Sequence, residues 1–136
     1  MGSLSLTGMI AAGPIGSACD TFPTASTQIP IGFIDGARPY DAATGILIQT
    51  IASSSAFVPL VGVGPTGPVT QAAALYFKCD GPCTLRLTFD DGSGSQEVVE
   101  IPVYGIFLQE FPTTQPLEYL EIMGDARIEY FACGPS

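Results

Sequence analysis

Proline and glycine interrupt this chain so often that no long helix fits between them. The sequence has 12 prolines and 16 glycines in 136 residues, and no long stretch holds a helical period of apolar residues. Proline removes a backbone donor, and glycine costs backbone entropy in a helix. Short runs that alternate apolar and polar residues occur instead, which is the pattern of half-buried strands. The sequence therefore predicts an all-β protein, an antiparallel β-sandwich or jelly-roll-like fold of eight or nine short strands.

Residues 84–89 and 96–103 are the clearest pair of predicted strands. Each has apolar residues at every second position, which gives it one face for a core. These residues are Leu85, Leu87 and Phe89 in the first strand and Val99, Ile101 and Val103 in the second. The polar, glycine-containing segment 90–95 between them is typical of a hairpin loop.

Further strands are predicted on both sides of this hairpin. Residues 73–79 alternate, and Asp80-Gly81-Pro82 predicts a turn that joins them to the hairpin as a three-stranded meander. Residues 120–122 and 126–133 predict a second hairpin around Met123-Gly124-Asp125. Weaker strand candidates are 4–10, 28–34, 46–52 and 57–63, while 13–25, 35–45 and 62–70 lack periodicity.

Three of the predicted strands contain a proline, at Pro30, Pro59 and Pro102. Because proline cannot donate to a ladder of hydrogen bonds, these strands are predicted to be edge strands or to break there.

Few charged residues are available to cover a surface. Only 17 of the 136 residues are Asp, Glu, Lys or Arg, against about a quarter in a typical soluble domain. Four of them lie in the first 77 residues: Asp20, Asp35, Arg38 and Asp41. Burial against other protein is the simplest remedy, so the composition predicts a subunit of an assembly. We expect the acidic second half to face solvent and the first half to be covered.

The charge balance also excludes classes of partner. With a net charge of −9 and four cations, the chain is repelled by phosphate backbones and by anionic membrane surfaces. Residues 1–12 are apolar but lack the basic start of a secretory signal. We therefore expect synthesis in the cytoplasm without export, and a single domain over 1–136 whose residues 1–25 form an extended arm.

The cysteines are the most pointed candidates for chemistry. Cys79 and Cys83 flank three residues of a predicted turn, close enough in principle for a disulfide. A second interpretation joins them with Cys19 and Cys133 in a four-thiolate zinc site, although only one closely spaced pair exists. Reduced, partly buried thiols are favoured over both, so no metal or other cofactor is predicted.

Other candidate sites also favour a structural interpretation. The chain has no histidine and no tryptophan, which removes His-dependent nucleophiles and His metal sites. Residues 89–97 hint at a calcium loop but lack its ligand spacing. Glu118, Glu121 and Glu129, near Asp125, alternate with apolar residues as on a solvated face rather than converging as in a glycosidase. The sequence thus predicts a protein that is not an enzyme.

Two apolar segments, 56–61 and 107–112, are unusual for connections between strands. Together with the charge-poor first half they favour contact with other protein. The predicted interface residues are Leu4, Leu6, Ile10, Phe22, Phe57, Val58, Leu60, Phe107 and Phe111.

Several short runs within residues 73–134 are similar to those of one group of proteins. The relevant runs are Leu85-Arg86-Leu87-Thr88-Phe89-Asp90-Asp91-Gly92-Ser93-Gly94, then Gly105-Ile106-Phe107, Pro116-Leu117 and Gly124-Asp125-Ala126-Arg127-Ile128-Glu129-Tyr130. This part of the chain resembles small β-sandwich virion proteins of tailed bacteriophages, such as capsid decoration or cement proteins and head–tail accessory proteins.

The resemblance implies a homo-oligomer, favoured as a trimer, that clamps major capsid or other virion proteins without doing chemistry. A tail or head–tail connector role is the nearest alternative. A free-standing extracellular binding module, for instance one for carbohydrate, and a small carboxylate-dependent enzyme are the competing hypotheses. The first of these needs aromatic residues around a groove, and the second needs two carboxylates that converge.

Overall fold

The fold was obtained as a computed structural model and is all-β, as predicted. The structure describes residues 2–11, 28–52 and 55–135, the side chains of 7–11 and 28–39 excepted. These residues contain nine strands and no helix. The strands are β1 (Gly2–Ala11), β2 (Gln28–Tyr40), β3 (Ala42–Ala43), β4 (Leu47–Ile51), β5 (Val58–Pro59), β6 (Ala74–Asp90), β7 (Gln96–Glu110), β8 (Leu117–Gly124) and β9 (Ala126–Gly134).

The chain divides into two compact units. Residues 3–38 form one of them, in which β1 and β2 pair as a two-stranded sheet. Residues 39–136, together with the first two residues, form the other, which holds a seven-stranded antiparallel sheet. The predicted arm 1–25 thus begins with a paired strand, and residues 12–27 lie outside the described part of the chain.

The 17-residue strand β6 is the centre of the larger sheet. It pairs with β7 along one side. On its other side it pairs first with β9, over residues 74–79, and then with β8, over residues 83–89. Strands β3 and β4 extend the sheet beyond β9, and β5 extends it beyond β8. The sheet curls into a half-barrel, and a sandwich or jelly roll is not established.

The predicted turn at Asp80-Gly81-Pro82 is wrong, because β6 continues through it. Cys79 pairs with Gly105 and Cys83 with Val103, so β6 carries two residues more than β7 at this point. Such a bulge bends and twists a strand but keeps its direction. The Asp80 carboxylate accepts a hydrogen bond from the Arg127 amide at 2.8 Å, which fastens the bulge to β9.

The predicted second hairpin around Met123-Gly124-Asp125 is also wrong. Strands β8 and β9 follow one another as antiparallel partners of the two halves of β6. The register is continuous across the interruption, since Cys83 pairs with Gly124 and Cys79 with Ile128. A long β6 supplies hydrogen-bond partners to both strands, which a hairpin between them would leave unused.

The hairpin of 84–89 and 96–103 is confirmed. Leu85 pairs with Ile101 and Leu87 with Val99, so the alternating apolar residues share one face as predicted. The prolines also lie where predicted: in the described residues, β2, β5 and β7 each pair with one neighbouring strand. Three predicted boundaries differ from the structure. The predicted strand 57–63 is only the short strand β5, and residues 35–40, predicted to lack regular structure, continue β2. Residues 107–110, predicted as part of a connection, form the end of β7.

The core lies on the inner face of the curled sheet and under the connection between β5 and β6. Its largest fully buried side chains are Tyr130, Phe77, Leu60, Leu75, Leu85, Leu117, Leu120, Ile122 and Ile128. Each such side chain contributes roughly 1.5–3 kcal/mol on burial. Leu60, Val63 and Val69 bring the connection onto this core, and the Tyr130 hydroxyl donates to the Val61 carbonyl at 2.9 Å.

Candidate interaction surface

Strand β7 carries a row of exposed apolar side chains. Among the described residues it pairs with β6 alone, so no described strand lies along its outer backbone edge. Val98, Tyr104, Ile106 and Leu108 are 55%, 78%, 64% and 38% exposed. All four occupy even positions, so they share the face of β7 opposite its core-facing residues. We call these four residues the β7 row.

The other face of β7 is apolar as well. A groove of about 270 Å³ lies between this face of β7 and the C-terminal end of β6. Most of its lining is hydrophobic: Leu87, Phe89, Val99, Ile101, Phe107, Phe111 and Pro112. Phe107, Ile101 and Phe89 are only half-buried there and pack against the core. A strand laid along β7 would therefore find apolar surface on both of its own faces.

The outer edge of β7 carries some of the devices that protect natural edge strands and lacks others. Soluble proteins guard such edges with charged side chains, above all lysine, and with proline or bulges. Residues 96–110 contain Pro102 and three glutamates but no lysine or arginine. Glu100 turns to Arg86 of β6, with Nη2 and Oε1 at 3.0 Å, so this charge is already engaged.

Arg86 links three strands on the same sheet face. Besides Glu100 it lies 3.8 Å from Glu121 of β8, measured from Nη1 to Oε1. Its guanidinium carbon lies 3.8 Å from the centre of the Phe57 ring, a cation–π geometry. The guanidinium of Arg86 is therefore engaged by groups of its own chain.

The structure redistributes the predicted interface residues. Leu4 and Leu6 are half-buried on β1, while Phe22 and the side chain of Ile10 lie outside the described residues. Phe57, Val58 and Phe107 are half-buried in the larger unit. Leu60 and Phe111, at 1% and 6% exposure, are core residues, which corrects the prediction for these two. Their segments fold inward because Leu60 donates its amide to the Leu120 carbonyl and Phe111 to that of Ala73.

Sequence reasoning missed the β7 row. The signal was present, because residues 103–108 are apolar at both odd and even positions apart from Gly105. Such a run is typical of a strand with both faces covered. The sequence predicts a strand that ends at Val103, so residues 104–108 fall outside it and their exposed face is not predicted.

Cys79 and Cys83 flank the bulge of β6 as buried free thiols. The Cys79 thiol lies 3.6 Å from the Val103 carbonyl oxygen, and that of Cys83 lies 3.5 Å from the Gly81 carbonyl oxygen. Burial, and next the neighbouring Cys79, raise the pKa of Cys83 to about 12. A disulfide between them stays a prediction, and so do the favoured reduced thiols.

The four-thiolate arrangement finds no support in the described residues. Cys133 pairs with Ala74, whereas Ile128 is the β9 residue opposite Cys79. Five residues along a strand place Cys133 about 17 Å from that point. Among the described residues no three Asp, Glu, His or Cys side chains are grouped to hold a metal ion. Cys19 lies outside the described residues.

The acidic loop at 90–95 uses its carboxylates on itself. Asp90 Oδ1 accepts from the Gly92 amide at 2.7 Å, and Asp91 Oδ1 accepts from the Ser93 amide at 2.8 Å and hydroxyl at 2.6 Å. The hydrogen bonds from Ser93 lower the pKa of Asp91. These are the local bonds of a hairpin tip.

The carboxylates considered for a glycosidase site have separate partners. Glu118 accepts from the Gln96 side-chain amide at 2.7 Å, whereas Glu121 faces Arg86. Glu129 interacts with Tyr76, whose pKa is raised by burial and then by this carboxylate.

The described part of the chain contains no helix long and apolar enough to span a membrane. No protein-family profile, no curated protein and no solved structure shows detectable similarity to the chain.

Proposed function

We propose that this chain is a non-enzymatic structural subunit that associates with other copies of itself and with a neighbouring protein through β7. The observation that carries the proposal is the cation-free outer edge of β7, along which no described strand lies, with apolar side chains on both faces. Strand addition to such an edge gives affinity through backbone hydrogen bonds and specificity through alternate side chains.

The dimensions of β7 suit a stable interface. Val98 and Leu108 are ten residues apart, about 34 Å along a strand. Standard interfaces bury about 800 Å² on each partner, so the proposed contact uses both the β7 row and the groove on the other face of β7. The scarcity of charge in the chain supports the same role, because an assembly covers surface that the sequence cannot make polar.

The specific assembly proposed is the virion of a tailed bacteriophage, with decoration of the capsid preferred over a tail or connector position. Its support is the resemblance of residues 73–134 to such proteins and the charge-poor composition. A trimer that clamps adjacent shell subunits is the proposed form. Immunogold labelling of purified particles at regular lattice positions tests this part, and unlabelled particles would contradict it.

The first experiment is the solution mass of the purified full chain by light scattering on a sizing column. We expect a discrete trimer or larger species. Ile106→Glu places a charge within the β7 row and is expected to reduce that mass to the monomer. Val61→Glu is the matched control, because Val61 is 65% exposed and Ile106 is 64% exposed. Val61 lies outside β7, so its variant should keep the wild-type mass.

Two results would overturn the assembly proposal. One is a wild-type chain that stays monomeric at high concentration, which would move the free-standing binding module ahead. The other is an Ile106→Glu variant that is folded, judged by circular dichroism, and still has the wild-type mass.

A further inference from the structure

A second, larger groove lies on the outer face of the sheet. Its volume is about 800 Å³, within the range of ligand sites. Thr88 of β6 pairs with Val98 of β7 and with Tyr119 of β8, so these three residues form one row across its floor. Residues 65–71, which precede β6, form the wall.

The lining of this groove is rich in neutral hydrogen-bonding groups. Six of its nine residues carry such a side chain: Thr66, Thr70, Gln71, Thr88, Gln96 and Tyr119. The Gln96 amide nitrogen donates to Glu118 Oε2 at 2.7 Å, which holds a planar amide beside a planar carboxylate. The pair offers further donor and acceptor positions to a ligand. Tyr119 adds a ring with an apolar face and a polar tip.

Backbone hydrogen bonds hold the wall in place before any ligand arrives. The Gly64 amide donates to the Val69 carbonyl at 3.0 Å, and the Val69 amide donates to that of Gly62 at 3.0 Å. At the other end, Ala72 and Leu117 exchange two backbone hydrogen bonds. A preformed site avoids the entropic cost of ordering a loop on binding.

Gly64 lets Tyr119 pack against this wall. Its φ of 141° is rarely adopted by residues with a side chain. A Cβ at this position would lie 3.0 Å from Tyr119 Cδ2, a contact closer than side chains normally make. The glycine therefore leaves room for the tyrosine ring beside the wall.

Charge decides which ligands fit. Glu118 is the one ionisable carboxylate of the lining, which holds no lysine or arginine. On a chain of net charge −9, this groove repels anions. A hydroxyl-rich neutral ligand suits it, because sugar hydroxyls both donate and accept and so match amide, carboxylate and threonine groups. The apolar face of a pyranose ring can lie against Tyr119.

We propose that the groove of Thr88, Gln96, Glu118 and Tyr119 binds a neutral oligosaccharide. The groove and the β7 row have one residue in common, Val98. The proposal is therefore independent of the assembly role, and either can fail without the other.

The test is saturation-transfer difference NMR on the full chain, which observes the sugar and works for large assemblies. The probes are maltohexaose, cellohexaose, xylohexaose and chitohexaose, with hexagalacturonic acid as the anionic comparison. At least one neutral probe is expected to receive saturation, and the anionic probe is expected to receive none. Gln96→Ala and Tyr119→Ala are each expected to weaken the binding about ten-fold or more, since each removes contacts to the ligand.

A matched variant guards against general effects. Gln49→Ala removes a glutamine side chain from β4, outside both the groove and the β7 row, and should bind as the wild type does. Glu118→Gln keeps the shape of the groove, so its weakened binding would separate lost hydrogen bonding from misfolding. Absence of transfer to all four neutral probes would overturn the proposal. So would equal affinity for hexagalacturonic acid, or undiminished binding by folded Gln96→Ala and Glu118→Gln.

Discussion

Replacing Tyr130 by phenylalanine removes one hydroxyl from the core and keeps the ring that fills it. Tyr130 is fully buried on β9, and its hydroxyl donates to the Val61 carbonyl at 2.9 Å. Burial raises the pKa of this tyrosine, so the hydroxyl stays a neutral donor at neutral pH. That bond ties β9 to the connection that carries Leu60, Val63 and Val69 into the core.

The expected loss of stability follows from the one hydrogen bond that the substitution removes. The apolar burial of the ring is retained, so no cavity term applies. One buried hydrogen bond contributes about 1 kcal/mol net, and an unpaired carbonyl adds to this where water cannot reach it. We expect Tyr130→Phe to lower the free energy of unfolding by about 1–2 kcal/mol and the melting temperature by about 4–8 °C.

Urea denaturation followed by circular dichroism measures the change. Tyr104→Phe is the control, because Tyr104 is 78% exposed and loses the same atom without a core partner. Its stability is expected to stay within about 0.5 kcal/mol of the wild type. A Tyr130→Phe variant as stable as Tyr104→Phe would show that the connection is held by its apolar contacts alone.

Three further predictions concern other parts of the molecule. Arg86→Met removes the ion pairs and the contact with Phe57, and should lower the free energy of unfolding by on the order of 1 kcal/mol, and by less in high salt. Arg127→Met, at an exposed position, is the control, and an equal loss of stability in both variants would contradict this role of Arg86. Burial raises the folded-state pKa of Cys83 from about 9 to about 12, so the unfolded chain loses this proton first as pH rises. The contribution of Cys83 to stability should be constant below about pH 9 and fall by up to about 1.4 kcal/mol per pH unit towards pH 12. A Cys83→Ala variant with the same slope as the wild type would refute this. Deletion of residues 1–18 should weaken assembly more than folding, because the described core begins at residue 42. A deletion variant that circular dichroism shows to be unfolded would contradict this prediction.

Turn chemistry explains which hairpins could be predicted. Asp90 and Asp91 bond to amides of their own loop, so the hairpin of β6 and β7 is encoded where it forms. Asp80-Gly81-Pro82 has the same kind of composition but forms a bulge. The difference lies in β8 and β9, which supply one continuous partner along β6 and reward a strand that does not reverse. Local residues cannot specify a partner some 45 positions away.

The sequence by itself determined the fold class, because proline, glycine and alternating apolar residues act within a few positions of one another. It also determined that few charged side chains, only 17, are available to cover the surface. The tertiary structure decided which apolar residues are covered within the subunit. Leu60 lies in the core, while Ile106 is exposed on an edge strand. Both residues have the hydrophobicity of core residues, and only the order of strands in the sheet distinguishes them, because burial depends on what lies opposite a side chain.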